Sequence, residues 1–354
     1  MKANEARAHR GSNNDLTDVA GIRVGHYQRS DDGWLTGTTV VVPPPGTVGS
    51  VDVRGGGPST RETDALSPTT LVDQVHAVCL SGGSSYGLAA ASGVMDCLAE
   101  RSIGFPVGPE SHMVVPIVPA ACLFDIVGRG NFHQRPDASF GRAAFEAATS
   151  QPVAQGNVGA GTGGLAGFLK GGLGSASVVL PNGVTVAALA AVNCGGNVVN
   201  LATGELYGAA FGLGDEFAHV VAPSPEDCAR ARDALDESRP RNTVLVVVAT
   251  DADLTKSEAC RVSMAAHDGL ARAITPVHCL TDGDVVFTLA TQQVPLSDGH
   301  VRSLSADRVR ELDAVMAAGA NAVTRAVVHA VLSATSAAGW PSYFDRYPSA
   351  LRVL

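Results

Sequence analysis

The stretch RPRNTVLVVVATDADL, residues 239–254, changes character in its middle. Arginine and proline come first, and from Thr243 to Thr250 the residues are valine, leucine, alanine and threonine, with no charge among them. An unbroken apolar run rich in β-branched residues is typical of a strand that is buried on both faces. The stretch therefore predicts a buried strand that begins at Thr243, directly after an exposed polar linker.

Thr243 is either simply the first residue of that strand or the residue at which chemistry occurs. An internal threonine hydroxyl is a poor nucleophile, but cleavage of the Asn242–Thr243 bond would free an α-amine, a group whose ordinary pKa is about 8. That amine could act as general base for the neighbouring hydroxyl. The same hydroxyl could make the cut, by attacking the Asn242 carbonyl to form an ester that water then hydrolyses. Because threonine begins many strands, the residues alone leave both interpretations open.

The composition is that of a globular protein with a large apolar interior. Of the 354 residues, 45% are hydrophobic and 17% are charged, which allows one large domain or two small ones. The net charge is −9 and the sequence has no basic cluster. Phosphate binding needs concentrated lysine and arginine, so nucleic acid is not expected as a partner.

The N-terminus and the cysteines predict a cytoplasmic location. Residues 1–15 lack the apolar core of a secretory signal and are predicted to form a disordered tail. The seven cysteines form no CxxC pair and lie in apolar segments, as reduced, buried thiols do. No run approaches the length that crosses a bilayer, so no membrane association is expected. The ten histidines show no metal-ligand spacing, and neither a metal nor a cofactor is expected.

Periodicity predicts short strands alternating with helices. Residues 175–197, SASVVLPNGVTVAALAAVNCGGN, have the pattern of a hairpin with Asn182-Gly183 in a type I′ turn. Helices are predicted over 256–273, after a capping box, and over 305–334. Residues 276–291 are predicted to be strand, tight turn, strand. Paired sheets together with small-residue helices favour sheets sandwiched between helical layers.

Asp282-Gly283-Asp284 places two carboxylates on either side of a glycine. The carboxylates could share one site, where one stays ionised to orient an ammonium group and the other has its pKa raised by its neighbour. Asp-Gly is also among the commonest turn pairs, so a plain hairpin turn is the alternative, and the two interpretations are compatible. Calcium binding is disfavoured, since the long acidic loop of an EF-hand is absent.

Lys170 and Asn193 are two further candidates. Lys170 lies in GFLKGGLG, residues 167–174, where a buried ammonium group would need a carboxylate or a reacting oxygen as partner. Asn193 ends a predicted buried strand, where its amide NH₂ could donate to a developing oxyanion. The alternatives are a surface lysine in a loop and an ordinary turn asparagine, and the local sequence favours the alternative in both cases.

Together these segments resemble the DmpA family of self-processing N-terminal-nucleophile aminopeptidases, which includes β-aminopeptidases and the nylon-oligomer hydrolase. The resemblance extends from about Leu16 to Ala290. It rests on motifs in the same order along the chain: LTDVAGIRVGHYQ, DVRGGGPSTRETD, LSGGSSYGLAAASGVM, VPIVPA, FLKGGLGSAS, VNCGGNVVN, RNTVLVVVATDADL and AAHDGLARAITPVHCLTDGDVVFTLAT.

The resemblance implies an α/β fold of four layers, an αββα sandwich with two sheets between helical layers, formed by residues 16–354 as one domain. It implies cleavage between Asn242 and Thr243 into an α chain, 1–242, and a β chain, 243–354. The two chains stay associated, and the αβ units assemble into a homo-oligomer.

The resemblance also implies roles for the candidate residues. Thr243 is the nucleophile, Lys170 the catalytic lysine and Asn193 the oxyanion donor, and the paired carboxylates are those of Asp282 and Asp284. The Asp pair matches the nylon-hydrolase branch, but a tyrosine of that branch is replaced here by Phe124, so its hydroxyl is lost. The implied activity is hydrolysis of a small peptide or amide through an acyl-enzyme on Thr243.

Two other functions stay open. An acyltransferase related to ornithine acetyltransferase also cleaves before a threonine, and it would pass the acyl group to an amine rather than to water. A non-catalytic ligand-binding homologue would keep the Asn242–Thr243 bond, with Thr243 only beginning a strand. For a hydrolase, α-peptides, β-peptides and ω-amides all fit the same machinery.

Overall fold

The computed structural model describes residues 7–127, 130–233, 242–298 and 305–352. Within these ranges the strands are β1 (Arg23–Arg29), β2 (Thr36–Val42), β3 (Val48–Val53), β4 (Thr60–Arg61), β5 (Val78–Ser81), β6 (Phe105–Pro106), β7 (Val114–Val115), β8 (Ala120–Cys122), β9 (Leu165–Ala166), β10 (Leu169–Lys170), β11 (Leu173–Val179), β12 (Thr185–Asn193), β13 (Thr243–Ala252) and β14 (Val285–Val294). The α-helices are α1 (Ala90–Ala99), α2 (Ala138–Glu146), α3 (Pro225–Asp233), α4 (Lys256–Ala273), α5 (Ala306–Leu332) and α6 (Tyr343–Arg346).

Two five-stranded sheets form the centre of the described structure. The first sheet has the order β1-β2-β5-β8-β4 and the second β11-β12-β13-β14-β3. In the second sheet β12 and β13 are antiparallel, whereas β13 and β14 run parallel and are joined through α4. The parallel pair places the start of β14 beside the start of β13, which brings the segment before β14 close to Thr243.

Helices cover the outer face of each sheet, so the layers follow the order helix, sheet, sheet, helix. One apolar cluster joins α1 and α2 to the first sheet, and another joins α4 and α5 to the second sheet. A third cluster fills the space between the sheets, with Leu80 and Leu123 from one side and Leu245 and Val247 from the other. The predicted αββα sandwich is confirmed.

The central strand β13 is buried along its whole length, as its unbroken apolar sequence predicts. Val246 and Val248 pack toward the helices, and Leu245 and Val247 pack between the sheets. Each fully buried valine or leucine contributes about 1.5–3 kcal/mol to folding. The strand is therefore a rigid support for its first residue, Thr243.

The hairpin of β11 and β12 is confirmed, but its turn is not type I′. The Gly183 N–H donates to the Leu180 carbonyl at 2.9 Å, so Pro181 and Asn182 occupy the central positions. Gly183 is the turn residue with positive φ, at 87°. Because the proline ring holds φ negative, a turn that needs positive φ at both central residues cannot form there.

The prediction of a second hairpin over residues 276–291 is wrong for residues 276–284. They form an irregular loop rather than a strand, and β14 pairs with β13 and β3 instead. The Cys279 N–H donates to the Asp282 carboxylate at 2.9 Å, and the His278 N–H donates to the Asp284 carboxylate at 3.2 Å. A carboxylate that accepts hydrogen bonds from nearby backbone N–H groups takes those donors away from strand pairing. Here these bonds hold the segment in a loop.

The predicted disordered tail is also corrected where the structure describes it, at residues 7–15. His9 and Val179 exchange two backbone hydrogen bonds, of 3.1 and 2.8 Å. The Asn14 side chain donates to Glu216 at 2.7 Å and accepts from Arg325 at 2.5 Å. Since the polar tail completes a buried ion pair, hydrogen bonds order it without an apolar anchor. Residues 1–6 lie outside the described residues.

Helices α4 and α5 have the predicted positions, and α4 begins with the predicted capping box of Thr255 and Glu258. By length and composition, however, α5 is apolar enough to cross a bilayer, so the prediction that no segment reaches that length is wrong. In the fold 72% of its most apolar window is buried, and the helix packs against β11 and β12. A central core helix and a membrane span share this composition.

Candidate active site

Thr243 and Asn193 lie opposite each other at the ends of adjacent strands. They are paired residues in the antiparallel register of β12 and β13. Side chains alternate along a strand, so Thr243 shares its face with Leu245, and Asn193 shares its face with Ala191. Both of these neighbours lie in the cluster between the sheets. The threonine hydroxyl and the asparagine amide therefore point into one space between the two sheets.

The carbonyl of Asn242 receives two hydrogen bonds. The Thr243 hydroxyl, Oγ1, donates to it at 2.6 Å, and the Gly283 N–H donates to it at 3.2 Å. Asn242 and Thr243 are both buried. The Thr243 hydroxyl thus lies beside the carbonyl group of the preceding residue, and the Gly283 backbone donor binds the same carbonyl oxygen.

The Asp284 carboxylate holds both sides of this arrangement together. Its Oδ1 accepts the Val244 N–H at 2.8 Å, one residue beyond Thr243. Its Oδ2 accepts from the His278 ring Nδ1 at 2.7 Å and from the His278 N–H. The carboxylate therefore fixes the beginning of β13 to the loop before β14.

Asp282 is buried as well, and burial raises the pKa of its carboxyl group above the ordinary value. The charge of Asp284 raises this pKa further, while the hydrogen bond from the Cys279 N–H lowers it. The sequence predicted a carboxyl group with a raised pKa in this pair. The structure assigns the largest cause to loss of solvent and the smaller one to the neighbouring charge.

Two glycines, Gly55 and Gly283, allow neighbouring backbone segments to approach Asp282 and Asp284 closely. A Cβ atom at Gly55 would lie 2.2 Å from the Asp284 nitrogen, and one at Gly283 would lie 2.9 Å from Thr243 Oγ1. Side chains at these positions would separate the loop at 54–57 from the carboxylates, or push the carboxylates away from Thr243.

Lys170 is buried, so the alternative of a surface lysine is wrong. Its ammonium group donates to the carbonyls of Gly164 at 2.9 Å and Gly171 at 2.8 Å, with Gly161 at 3.4 Å. These carbonyls all belong to the glycine-rich segment, whose turns aim them inward. The ammonium is thus bound by backbone dipoles, which stabilise a positive charge away from water.

The side chain of Asn193 is fixed by bonds at both ends of its amide. Oδ1 accepts the Leu165 N–H at 3.1 Å, and Nδ2 donates to the Phe124 carbonyl at 3.1 Å. Leu165 is the strand partner of Lys170 in the pairing of β9 with β10. Asn193 is therefore a strand residue with a defined amide orientation, and the alternative of an ordinary turn residue is wrong.

A cleft of about 280 Å³ opens onto Thr243. Among the described residues, its lining consists of Gly57, Ser59, Ser84, Cys122, Phe124, Thr243 and Thr281. None of these carries a charge. Phe124 presents a ring without a hydroxyl in this cleft, where the resemblance implied a tyrosine in the nylon-hydrolase branch.

Two groups at the site were missed by the sequence reasoning. The Gly283 N–H was considered only as part of a turn, and a backbone donor has no side-chain signal. His278 was hidden in a segment predicted as a strand. Among the described residues, no three His, Cys, Asp or Glu side chains are grouped so as to hold a metal ion.

A buried hydroxyl residue at the start of a central strand faces a cleft between two sheets, an arrangement suited to a hydrolase that uses a side-chain nucleophile. The chain belongs to peptidase family S58, whose sequence model matches residues 14–342. The predicted family and the predicted hydrolase class are confirmed.

Curated relatives agree with this assignment. An uncharacterized aminopeptidase of Mycobacterium tuberculosis is 49% identical over 348 residues, covering 95% of this chain and 99% of the relative. A 6-aminohexanoate-oligomer endohydrolase of Paenarthrobacter ureafaciens is 30% identical over 304 residues, covering 79% of this chain and 75% of the relative.

A solved structure confirms the fold. A β-aminopeptidase of Burkholderia sp. superposes with a TM-score of 0.69 at 22% identity, covering 96% of this chain and 93% of the other. An L-aminopeptidase D-Ala-esterase/amidase of Ochrobactrum anthropi, described as a variant of the Ntn-hydrolase fold, superposes with a TM-score of 0.67 at 21% identity, covering 96% and 91%.

Proposed function

We propose that this protein cuts its own chain between Asn242 and Thr243 and then hydrolyses small amides through an acyl-enzyme on Thr243. The observation that carries the proposal is the 2.6 Å bond from the Thr243 hydroxyl to the carbonyl of Asn242. A nucleophile and a donor, the Gly283 N–H, already meet at the bond to be cut.

In the cleavage step, Thr243 Oγ1 attacks the Asn242 carbonyl carbon and loses its proton. The Gly283 N–H stabilises the oxyanion, the carbon–nitrogen bond breaks, and the Thr243 nitrogen leaves as an amine after taking up the proton that Oγ1 released. An ester then joins Asn242 to Thr243 Oγ1. Water hydrolyses this ester, which gives a carboxylate at Asn242 and a Thr243 residue with both a free hydroxyl and a free α-amine.

In turnover, the α-amine takes the proton from Oγ1 as the oxygen attacks the carbonyl of the substrate. Asn193 Nδ2 donates to the oxyanion, and the protonated α-amine returns its proton to the leaving amine. Water repeats the sequence on the acyl-enzyme and releases the acid. The buried charge of Lys170 favours the neutral, basic form of the α-amine, since like charges disfavour each other. Asp282 and Asp284 orient the amine.

The cleft favours a small, polar acyl group next to the nucleophile, because its volume is only about 280 Å³ and the described lining is rich in hydroxyl side chains. Peptides with small residues, β-amino acid amides and ω-amides meet this condition. The relatives named as an aminopeptidase and as an oligomer endohydrolase support an amide as substrate. We further propose a cytoplasmic homo-oligomer of αβ units, which rests on the resemblance and on cysteines that are scattered along the chain and mostly buried.

Intact mass spectrometry of the purified wild-type protein tests the proposal. We expect two masses, those of residues 1–242 and 243–354, to replace the full-length mass, and the cleaved protein to release p-nitroaniline from small aminoacyl anilides. Hydrolysis of these anilides by protein that keeps its full-length mass would contradict the mechanism. Acyl transfer to glutamate in preference to water would indicate an acyltransferase instead.

Asn193→Asp is expected to lower kcat about 10²–10³-fold, because it removes one oxyanion donor from the site. Aspartate keeps the oxygen that accepts the Leu165 N–H but loses the bond to the Phe124 carbonyl, so thermal unfolding of the variant accompanies the kinetics. Asn157→Asp is the matched control, since the Asn157 amide also donates to a backbone carbonyl, that of Thr335, but does not line the cleft. Steady-state kinetics on one anilide would compare the two variants; equal kcat values would remove Asn193 from the mechanism.

A further inference from the structure

His278 occupies an unusual backbone position next to the carboxylate pair. Its φ is 56°, in the left-handed region that non-glycine residues seldom adopt. Both its N–H and its ring Nδ1 donate to the same oxygen, Asp284 Oδ2, at 3.2 and 2.7 Å. Strained backbone of this kind persists when surrounding contacts hold it, and here both contacts are with Asp284.

The other oxygen of Asp284 holds the strand that carries the nucleophile. Asp284 Oδ1 accepts the Val244 N–H at 2.8 Å. One carboxylate therefore connects the His278 ring to the residue that follows Thr243. Movement of the ring would release one side of this carboxylate, and the beginning of β13 would lose its fixed position relative to the loop.

The groups around the His278 ring determine which other charges a positive charge on this ring would affect. The His267 ring packs edge-on against it with the centroids 4.8 Å apart. Burial lowers the pKa of His267 to about 4, and its Nε2 donates to the Asp52 carbonyl at 3.1 Å, so His267 is neutral near pH 7. Behind it, the Asp52 carboxylate pairs with Arg54 at 2.8 Å. The Asp284 carboxylate contacts the His278 ring directly, and the charge of His278 also acts on Asp282.

We propose that His278 is a positioning residue that orients Asp284 through its ring Nδ1 and, when protonated, balances the charge of the two buried carboxylates. This inference rests on the proposed function. Before cleavage the site has no α-amine to face the two buried carboxylates, and a positive charge on His278 would lie in direct contact with one of them. After cleavage, a positive charge on His278 disfavours protonation of the new α-amine, which is needed as a neutral base.

Three substitutions separate the possible roles of His278. Asparagine tolerates positive φ, and its Nδ2 can occupy the place of the ring Nδ1, so His278→Asn keeps the donor but not the charge. His278→Gly relieves the backbone strain and removes both donor and charge. His278→Ala removes the donor and keeps the strain. His112→Asn is the matched control, because His112 is an exposed histidine 3.4 Å from a carboxylate, Glu110, and does not line the cleft.

The test measures self-cleavage by intact mass and turnover of an anilide across pH, with thermal unfolding of each variant as a check of folding. We expect His278→Gly and His278→Ala to slow both reactions about 10–100-fold, as a misplaced catalytic group does, with kcat affected more than KM. His278→Asn should retain rates within about threefold of wild type near neutral pH.

The pH profile of His278→Asn tests the charge. A positive charge on His278 lowers the pKa of the Asp282 carboxyl group, so its loss raises that pKa. Activity of His278→Asn should therefore begin to fall at a higher pH than wild-type activity does as the solution is acidified. An unmoved acid limb would overturn the charge-balancing role.

Two further results would decide whether His278 positions Asp284. Folded His278→Gly that cleaves and turns over within about twofold of wild type would overturn the positioning role, and so would His278→Asn that is as slow as His278→Gly. If the glycine variant does not fold, the comparison of His278→Ala with His278→Asn decides. Failure of the proposed function is recognised separately, because wild-type protein would then keep its full-length mass.

Discussion

Thr243→Ala is expected to keep the chain at its full mass and to lower amide hydrolysis by at least about 10⁴-fold, the loss that follows removal of a catalytic nucleophile. The substitution removes the hydroxyl that donates to the Asn242 carbonyl at 2.6 Å, and with it the attacking atom of both reactions. Intact mass after prolonged incubation and anilide turnover are the two measurements.

Two variants serve as controls for this result. Thr243→Ser keeps a hydroxyl at the same place and is expected to cleave and to turn over. Thr250→Ala changes another buried threonine of β13, whose hydroxyl donates to the Thr185 carbonyl at 2.9 Å. It should cost about 1–3 kcal/mol of folding free energy and leave cleavage intact. Two fragments from Thr243→Ala would mean that another group makes the cut.

Lys170→Met is expected to lower the rates of self-cleavage and of turnover about 10²–10³-fold, because the proposed site loses a buried positive charge that would stabilise developing negative charge. It is also expected to destabilise the fold by about 1–3 kcal/mol, because the carbonyls of Gly164 and Gly171 lose their donor in a site away from water. Urea unfolding measures the second effect, and intact mass with anilide kinetics measures the first.

Lys256→Met separates chemistry from stability. Lys256 is a buried lysine at the start of α4, and its ammonium group also donates to backbone carbonyls, those of Ala65 and Thr70. Burial lowers the pKa of this lysine. Both methionine variants should unfold at lower urea concentration, but only Lys170→Met should slow cleavage. Equal cleavage rates in the two variants would leave Lys170 with a structural role alone.

The sheet topology explains why the candidate site residues lie close together. Antiparallel pairing sets Asn193 opposite Thr243, and the parallel pairing of β13 with β14 returns the chain through α4 to the same edge. Asp282 and Asp284 then arrive immediately before β14, beside the first residue of β13. Segments that are distant in sequence thus converge at one end of the second sheet.

The strand, the boundary and the long helices followed from the sequence by itself. An apolar β-branched run predicts β13 because both of its faces must be buried, and Asn242 and Thr243 mark its start by composition. The helices α4 and α5 follow from helical spacing and from the capping box. These features depend on residues only a few positions apart, so short stretches of the sequence are enough to predict them.

Only the tertiary structure decided how the site is built. Local sequence favoured a surface lysine at Lys170 and a turn asparagine at Asn193, yet both are buried, because burial depends on segments far away along the chain. The strand predicted after Pro276 became a loop, since carboxylates further along captured its backbone donors. The Gly283 N–H reached the Asn242 carbonyl, and Asp284 reached the Val244 N–H, through the parallel pairing of β13 with β14, which joins residues 40 positions apart in the chain.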